Sequence, residues 1–242
     1  MAGMFQTALR LVYPPRCIGC GALVESDFGL CGVCWRETSF IGSIVCDGCG
    51  VPLPGEADGH RLECDDCMAT PRPWTQGRAA LLYKGRARSI VLALKHGDRA
   101  DIARPAARWL AQAARPMIRR NMLIAPVPLH RLRLLRRRFN QSALLAEALA
   151  QDLGLAYCPD LLERTRHTES QGTSDGAARH ANLDGAIRAH PRRRHRMAAR
   201  PVLIVDDVMT SGATFAACTE ACLKAGAKEV FTLALARAAR ED

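Results

Sequence analysis

Apolar positions along this chain switch between two spacings, and each switch marks an element. Val202, Leu203, Ile204 and Val205 form an unbroken apolar run rich in β-branched side chains, the pattern of a buried strand. Two adjacent carboxylates, Asp206 and Asp207, close that run, and a short Thr/Ser/Gly loop leads into a helical stretch over 215–224. Residues 79–83 and 230–236 read as further strands, and 186–187 begins a short one. At 123–129 a strand runs into a turn stiffened by Pro126 and Pro128. Helical patterns occupy 89–94, 101–114 and 139–153. The sequence 95–98 breaks the first, the second ends near Pro116 and the third ends at Gly154. Strands alternating with helices predict an α/β fold: a mostly parallel sheet flanked by helices, with any ligand outside the C-terminal ends of the strands.

The first 67 residues follow no such rhythm, and cysteine takes over as the organising residue. Eight of the 11 cysteines fall there in four C-x-x-C pairs: Cys17/Cys20, Cys31/Cys34, Cys46/Cys49 and Cys64/Cys67. The first and third pairs share the form C-x-G-C-G, and a plainer pair follows each after ten and fourteen residues respectively. This is an internal repeat of one ribbon-like unit. Two thiolates three residues apart on a tight turn grip one tetrahedral zinc, and a second such turn completes a Cys₄ site. The repeat argues that each unit closes its own site. Cys17, Cys20, Cys31 and Cys34 then hold one structural zinc, and Cys46, Cys49, Cys64 and Cys67 a second; interleaved pairing is the alternative. Segments so short and glycine-rich bury little apolar surface, so metal supplies their folding energy, about 10 kcal/mol per site. A disulfide framework needs an oxidising compartment, which nothing in the sequence indicates. Four sulfurs leave no open coordination position, so the ribbon is expected to be a staple or docking surface rather than a catalyst. Cys158, Cys218 and Cys222 lie in α/β territory and read as core residues.

A chain of 242 residues holds one α/β domain and a small module. We place an N-terminal helix and the double ribbon in 1–70, a linker with Pro71, Pro73 and Gly77 over 68–77, and the α/β domain in 78–242. Residues 1–13 form a modest amphipathic packing helix without the basic start and long apolar core of a signal peptide. No run of 18 apolar residues exists, so no membrane insertion is expected, and a cytoplasmic location follows by default. Residues 164–182 are a long polar stretch of the kind that is functional when it interrupts a compact domain, and 192–200 reads as a basic hairpin insertion. The net charge of +10 favours polyanionic partners, either a pyrophosphorylated sugar or nucleic acid, and its densest segments are 130–138 and 192–200.

The strand, acids and loop at 202–214 carry the sharpest chemistry. A loop of small residues at a helix N-terminus is a ready anion site, because its N–H groups lack partners and the helix dipole is positive there. Thr210, Ser211 and Thr214 add hydroxyl donors, and Gly212 lets backbone approach a phosphate closely. The adjacent carboxylates accept hydrogen bonds from vicinal hydroxyls. A phosphate cradle beside two hydroxyl acceptors describes a sugar phosphate; no Gly-Lys-Ser/Thr occurs, so it is not a Walker loop. The pattern resembles the 5-phosphoribosyl-1-pyrophosphate (PRPP) signature of type I phosphoribosyltransferases. That resemblance implies a type I phosphoribosyltransferase-like sheet, with Asp206 and Asp207 on the ribose 2′- and 3′-hydroxyls. It also implies that Val208, Met209, Thr210, Ser211, Gly212, Ala213 and Thr214 surround the 5′-phosphate.

Three further motifs narrow the resemblance. Leu94-Lys95-His96-Gly97-Asp98, Pro126-Val127-Pro128-Leu129-His130 and Arg138-Phe139-Asn140-Gln141-Ser142 resemble signatures of the ComF family of amidophosphoribosyltransferase-like proteins. Arg164, Thr168, Gln171, Arg179 and Asn182 are similar to its next segment, and the double ribbon to its N-terminus. Arg138 departs from the family's frequent glycine, and the basic segment around Arg192 goes beyond the common pattern. The resemblance implies PRPP as ligand, magnesium bound with it, and in some bacteria a role in DNA uptake for natural transformation. By position, Lys95, His130 and Arg131 become pyrophosphate contacts, and Gln171 and Arg179 fall where type I enzymes carry their catalytic loop. Two functions stay open on this basis. One is a phosphoribosyltransferase acting on a nitrogen acceptor; the other is a non-catalytic PRPP-fold protein that binds single-stranded DNA or a helicase partner.

Overall fold

A computed structural model describes residues 14–25, 29–56, 59–96, 99–130, 139–166 and 185–239. Its strands are β1 (Gln76–Leu82), β2 (Leu123–Pro126), β3 (Ala156–Tyr157), β4 (Leu162–Arg164), β5 (Ile187–Ala189), β6 (Pro201–Met209) and β7 (Glu229–Arg237). Five of them make one sheet in the order β1-β7-β6-β2-β3, and every pairing in it is parallel. β4 and β5 pair antiparallel in a separate two-stranded sheet. The central strands β6 and β7 are buried on both sides, which is why their sequences run apolar without alternation.

The helices are α1 (Gly32–Glu37), α2 (Asp65–Ala69), α3 (Gly85–His96), α4 (Ala103–Ala114), α5 (Gln141–Leu153) and α6 (Ala213–Lys224). Asn140 caps α5 by accepting from the Ser142 N–H, and Gly154 ends it in the left-handed region, φ 63°. Side chains of β6 alternate between two cores. Leu203 and Val205 pack with Ile90, Leu110, Leu145 and Leu149 of α3, α4 and α5. Val202 and Ile204 pack on the opposite face with Phe215, Cys218 and Cys222 of α6.

The cysteine repeats divide between these same two faces. Ile18 of the first repeat belongs to the α3–α5 core, whereas Cys46, Cys49, Cys67 and Trp74 belong to the α6 core. The chain between them crosses the edge of the sheet. Ile41 N–H donates to the Ala80 carbonyl (2.9 Å), and Leu82 N–H to that of Ser39 (2.8 Å), so the outer edge of β1 is covered. Residues 68–77 are therefore more than a spacer. Trp74 is buried and donates from Nε1 to the Gly48 carbonyl at 2.6 Å, and Gly77 N–H donates to Asp47 at 2.8 Å.

Contact at this seam leaves no room for a side chain at Gly50. Its φ is 73°, and a Cβ there would lie 2.8 Å from Ala79 N and 2.9 Å from Arg78 Cα. Gly50→Ala should therefore cost about 2–4 kcal/mol in chemical denaturation, from positive-φ strain plus overpacking against backbone. A change below about 0.5 kcal/mol, the level of an ordinary surface substitution, would show that the seam yields freely.

Several local details differ from the sequence expectations. β6 does not stop before Asp206 but continues through both acids, because β7 pairs with it as far as Met209 and Arg237. Residues 192–200 make turns and a 3₁₀ segment, Arg194–Met197, instead of a hairpin. The cause is Met197, whose buried side chain pins the segment, helped by Arg200 Nε on the Asn121 carbonyl (2.9 Å). β3 and β4 are additional short strands, and α3 is longer than 89–94 at both ends. The amphipathic helix expected at 1–13 lies outside the described residues.

Candidate functional site

Each repeat gathers its own cysteines: the Sγ atoms of Cys17, Cys20, Cys31 and Cys34 lie within 4.8 Å of one another, as do those of Cys46, Cys49, Cys64 and Cys67. Pairing is sequential, and interleaving is set aside. A tetrahedral zinc with Zn–S of about 2.3 Å holds its sulfurs about 3.8 Å apart. Cys20 and Cys31 stand at 3.8 Å and Cys49 and Cys64 at 3.7 Å, so both sets fit a structural zinc. The repeats match in detail, since Cys31 N–H donates to Cys17 Sγ (3.2 Å) and Cys64 N–H to Cys46 Sγ (3.3 Å). The glycine inside each C-x-G-C is required by close approach. A Cβ would meet Cys34 Sγ at 3.0 Å from Gly19 and Cys67 Sγ at 2.9 Å from Gly48.

At the other landmark, three elements converge on the end of β6. Asp206 Oδ1 accepts from Ser142 Oγ (2.6 Å) and from Asp207 N–H (2.9 Å). Lys95 Nζ, from the last turn of α3, stands 3.4 Å from Asp207 Oδ2. Gln141 Nε2 donates to the Lys95 carbonyl (3.1 Å), and Asn140 Nδ2 to that of Val127 (3.0 Å). Three successive side chains thus tie the start of α5 to β2, α3 and β6. Burial pushes the Asp206 carboxyl up to about 7, and the Asp207 charge adds to this; Ser142, the Asp207 amide and Lys95 pull the other way.

The loop after β6 is held from its inner side by two guanidiniums. Buried Arg237 donates from Nη1 to the carbonyls of Thr210 (2.7 Å), Met209 (3.3 Å) and Ala238. Arg72 donates from Nη1 to the Ser211 carbonyl (2.9 Å). In a trans peptide the N–H points opposite to its C=O, so inward carbonyls turn the following amides outward. Gly212, with φ 84°, precedes α6 and offers no side-chain cap, so the helix dipole and outward amides act together at this end. Chemically the site combines an anion cradle with a carboxylate pair and one ammonium group.

Residues 8–68 match a family model described as a double zinc ribbon domain, and residues 140–241 one described as a phosphoribosyl transferase domain. The chain is 34% identical to the DNA utilization protein YhgH of Salmonella typhi, over 89% of this chain and 93% of that one. It is 29% identical to competence protein F of Haemophilus influenzae, over 92% of this chain and 97% of that one. The chain belongs to the ComF family. Among solved structures, this ComF-family chain is similar to the glutamine PRPP amidotransferase of B. subtilis, at 17% identity and a TM-score of 0.40, covering 60% of this chain and 30% of that one. It is also similar to adenine phosphoribosyltransferase of Thermoanaerobacter pseudethanolicus, at 15% identity and a TM-score of 0.36, covering 62% and 84%.

In the ComF-family fold seen here, Lys95, Asp206, Asp207 and Val208 adjoin the loop of Met209, Thr210, Ser211, Gly212, Ala213 and Thr214. His130 is half-buried just beyond the C-terminal end of β2. Arg131, Gln171 and Arg179 lie outside the described residues. Ser142, Gln141 and Asn140 stand within one of the family motifs, but their roles become visible only in these contacts. Arg72 and Arg237 sit in no motif at all, and only the three-dimensional contacts single them out. Among the described residues, no helix is long and apolar enough to cross a membrane.

Proposed function

We propose that the end of β6 and the loop after it bind PRPP, and that the chain transfers its ribose 5-phosphate to a nitrogen acceptor. One observation carries the reading: a carboxylate pair braced by Ser142 and Lys95 directly precedes a loop whose carbonyls are pinned inward at the start of α6. Asp206 and Asp207 accept the ribose 2′- and 3′-hydroxyls, and the amides and hydroxyls of 209–214 take the 5′-phosphate. Lys95, His130 and Arg131 serve the pyrophosphate, and Gln171 and Arg179 close over the substrate and exclude water. Magnesium bound with PRPP would supply charge neutralisation for the pyrophosphate. In the transfer, the C1–O bond breaks with its electron pair leaving on pyrophosphate, the acceptor nitrogen's lone pair forms the C1–N bond, and the proton that nitrogen sheds passes to the departing pyrophosphate or to water. Carboxylates near C1 stabilise the positive charge that develops there.

Isothermal titration with PRPP, with and without magnesium, followed by an acceptor screen for pyrophosphate release, tests both halves. Magnesium-dependent binding is expected, with weaker binding of ribose 5-phosphate alone. Folded wild-type protein with no affinity for PRPP would end the reading, and binding without pyrophosphate release from any acceptor would end its catalytic half.

A second reading has its own support in the names of the relatives, which concern DNA utilization and competence, and in the charge of +10. It assigns the chain a role in DNA uptake, holding single-stranded DNA or a helicase. Arg192 and Arg194 are exposed on the segment that precedes β6, at the opposite end of that strand from the loop. DNA binding through them should be sequence-independent and steeply salt-dependent. Neutralising Arg192, Arg193 and Arg194 should flatten the salt slope while leaving PRPP affinity unchanged. Affinity that hardly varies with salt would point away from these arginines.

A further inference from the structure

The second Cys₄ site and the β6–α6 loop share one side chain. Arg72 donates from Nη1 to the Ser211 carbonyl (2.9 Å) and from Nε to Cys67 Sγ (3.3 Å). Its guanidinium lies 5.8 Å from the centre of the Trp74 ring. Trp74 in turn donates to the Gly48 carbonyl of the metal-binding turn (2.6 Å) and lies against Gly212. A Cβ on Gly212 would stand 3.0 Å from Trp74 Cη2 and 3.5 Å from Arg72 Nη1. Gly48, Cys67, Arg72, Trp74, Ser211 and Gly212 therefore form one contiguous cluster spanning the two landmarks.

Electrostatics favours this arrangement. Four thiolates around one divalent zinc carry a net charge of about −2, and a guanidinium hydrogen-bonded to one of the sulfurs offsets part of it. The same guanidinium, by fixing the Ser211 carbonyl, turns the Gly212 N–H to the opposite side, toward the cradle. The first repeat supplies an internal contrast. The arginine nearest its glycine turn, Arg86 of α3, reaches the Gly19 carbonyl (3.4 Å) but pairs with Glu37 of α1 (2.6 Å), not with the loop.

We infer that Arg72 is a positioning residue for the loop, through which the second metal site, and not the first, sets the affinity for a sugar phosphate. This rests on the reading of the loop as a 5′-phosphate cradle. Coupling through Arg72 is reciprocal: whatever the metal does for phosphate binding, bound phosphate does for metal retention.

The test uses full-length, zinc-loaded wild type, R72Q, R72K, G212A and R86Q. Ribose 5-phosphate affinity is measured by calorimetry, and zinc release to a chromogenic chelator is followed with and without ribose 5-phosphate. R72Q should bind ribose 5-phosphate about tenfold more weakly, the worth of one charge-assisted hydrogen bond, with both zincs still present. R72K, which keeps the charge and a donor, should recover part of that loss. Ribose 5-phosphate should slow release of one zinc about fivefold in wild type and leave it unchanged in R72Q. G212A, which alters no cysteine contact, should speed release of that same zinc, while R86Q should alter neither that release nor the affinity. Equal affinity in R72Q and wild type, or unaltered release in G212A, overturns the inference. A wild type that binds no ribose 5-phosphate defeats the cradle reading itself, and the G212A release rate then still decides whether loop and metal are joined.

Discussion

Chelating both zincs should strip hydrogen-exchange protection from β1 as well as unfolding the ribbons, while β6 and β2 keep most of theirs. Each site contributes metal-binding energy of about 10 kcal/mol, and without it segments this small do not hold together. The loss reaches the α/β sheet because the repeats are built into it. Ile18 packs in one core, Trp74 and three cysteines pack in the other, and residues 39–41 hydrogen-bond along the outer edge of β1. Unfolding them exposes Leu81 and Ala79 and removes the partners of the Leu82 N–H and Ala80 carbonyl. β6 and β2 lie further inside the sheet, covered by α5 and α6, so their opening free energy stays higher. Peptide-resolved exchange before and after chelation checks this. Unchanged protection over 76–82 in metal-free protein would mean that the ribbons are an appended module with no hold on the sheet.

Asp206→Asn combined with Asp207→Asn should abolish measurable PRPP binding and yet raise the thermal midpoint at neutral pH. Binding falls because charged acceptors for two hydroxyls are lost, each such hydrogen bond being worth about 1.5–3 kcal/mol. Stability moves the other way. The folded state raises the Asp206 carboxyl to about 7, above its unfolded value, so the folded protein holds a proton that the unfolded chain releases. The stability this gives is fully present below about pH 4 and is lost as pH rises through about 7. An amide is neutral throughout and escapes that loss, so the variant should gain about 1–2 kcal/mol at pH 8 and little at pH 4. In wild type, PRPP affinity should climb between pH 6 and 8 as Asp206 ionises. Ser142→Ala removes a donor to the charged form and should shift that rise to higher pH. A double variant no more stable at pH 8 than at pH 4, relative to wild type, would contradict the account; so would retained PRPP binding.

What could be read from the sequence was what local patterning records. The C-x-G-C repeat announced two sequential Cys₄ sites, because tetrahedral geometry and the close approach of glycine to sulfur act within a few residues. The apolar runs at 202–205 and 230–236 announced central parallel strands, because burial on both faces removes alternation. Arg72 was silent for the opposite reason: its partner Ser211 is 139 residues away, and no periodicity carries that relation. Arg237 lies just past the apolar run at 230–236, and only the folded chain shows its guanidinium as the inner clamp of the loop. β3 and β4 leave no trace in the sequence, because two or three residues are too few to show a period. The pairing of the two repeats with opposite faces of one sheet is likewise a tertiary outcome. The candidate site was legible as a strand, two acids and a loop, but the braces around it were not.

The parallel pairing of β1 with β7 also has a consequence for the order of assembly. Gln76 sits beside Phe231, so among the described strands of the five-stranded sheet, β1 pairs with β7, the one furthest from it in sequence. Contacts of such long sequence separation form late and slowly. During translation the cysteine repeats therefore emerge well before the surface on which they come to rest. All four ligands of each Cys₄ set come from within one repeat, so zinc capture does not have to wait for that surface.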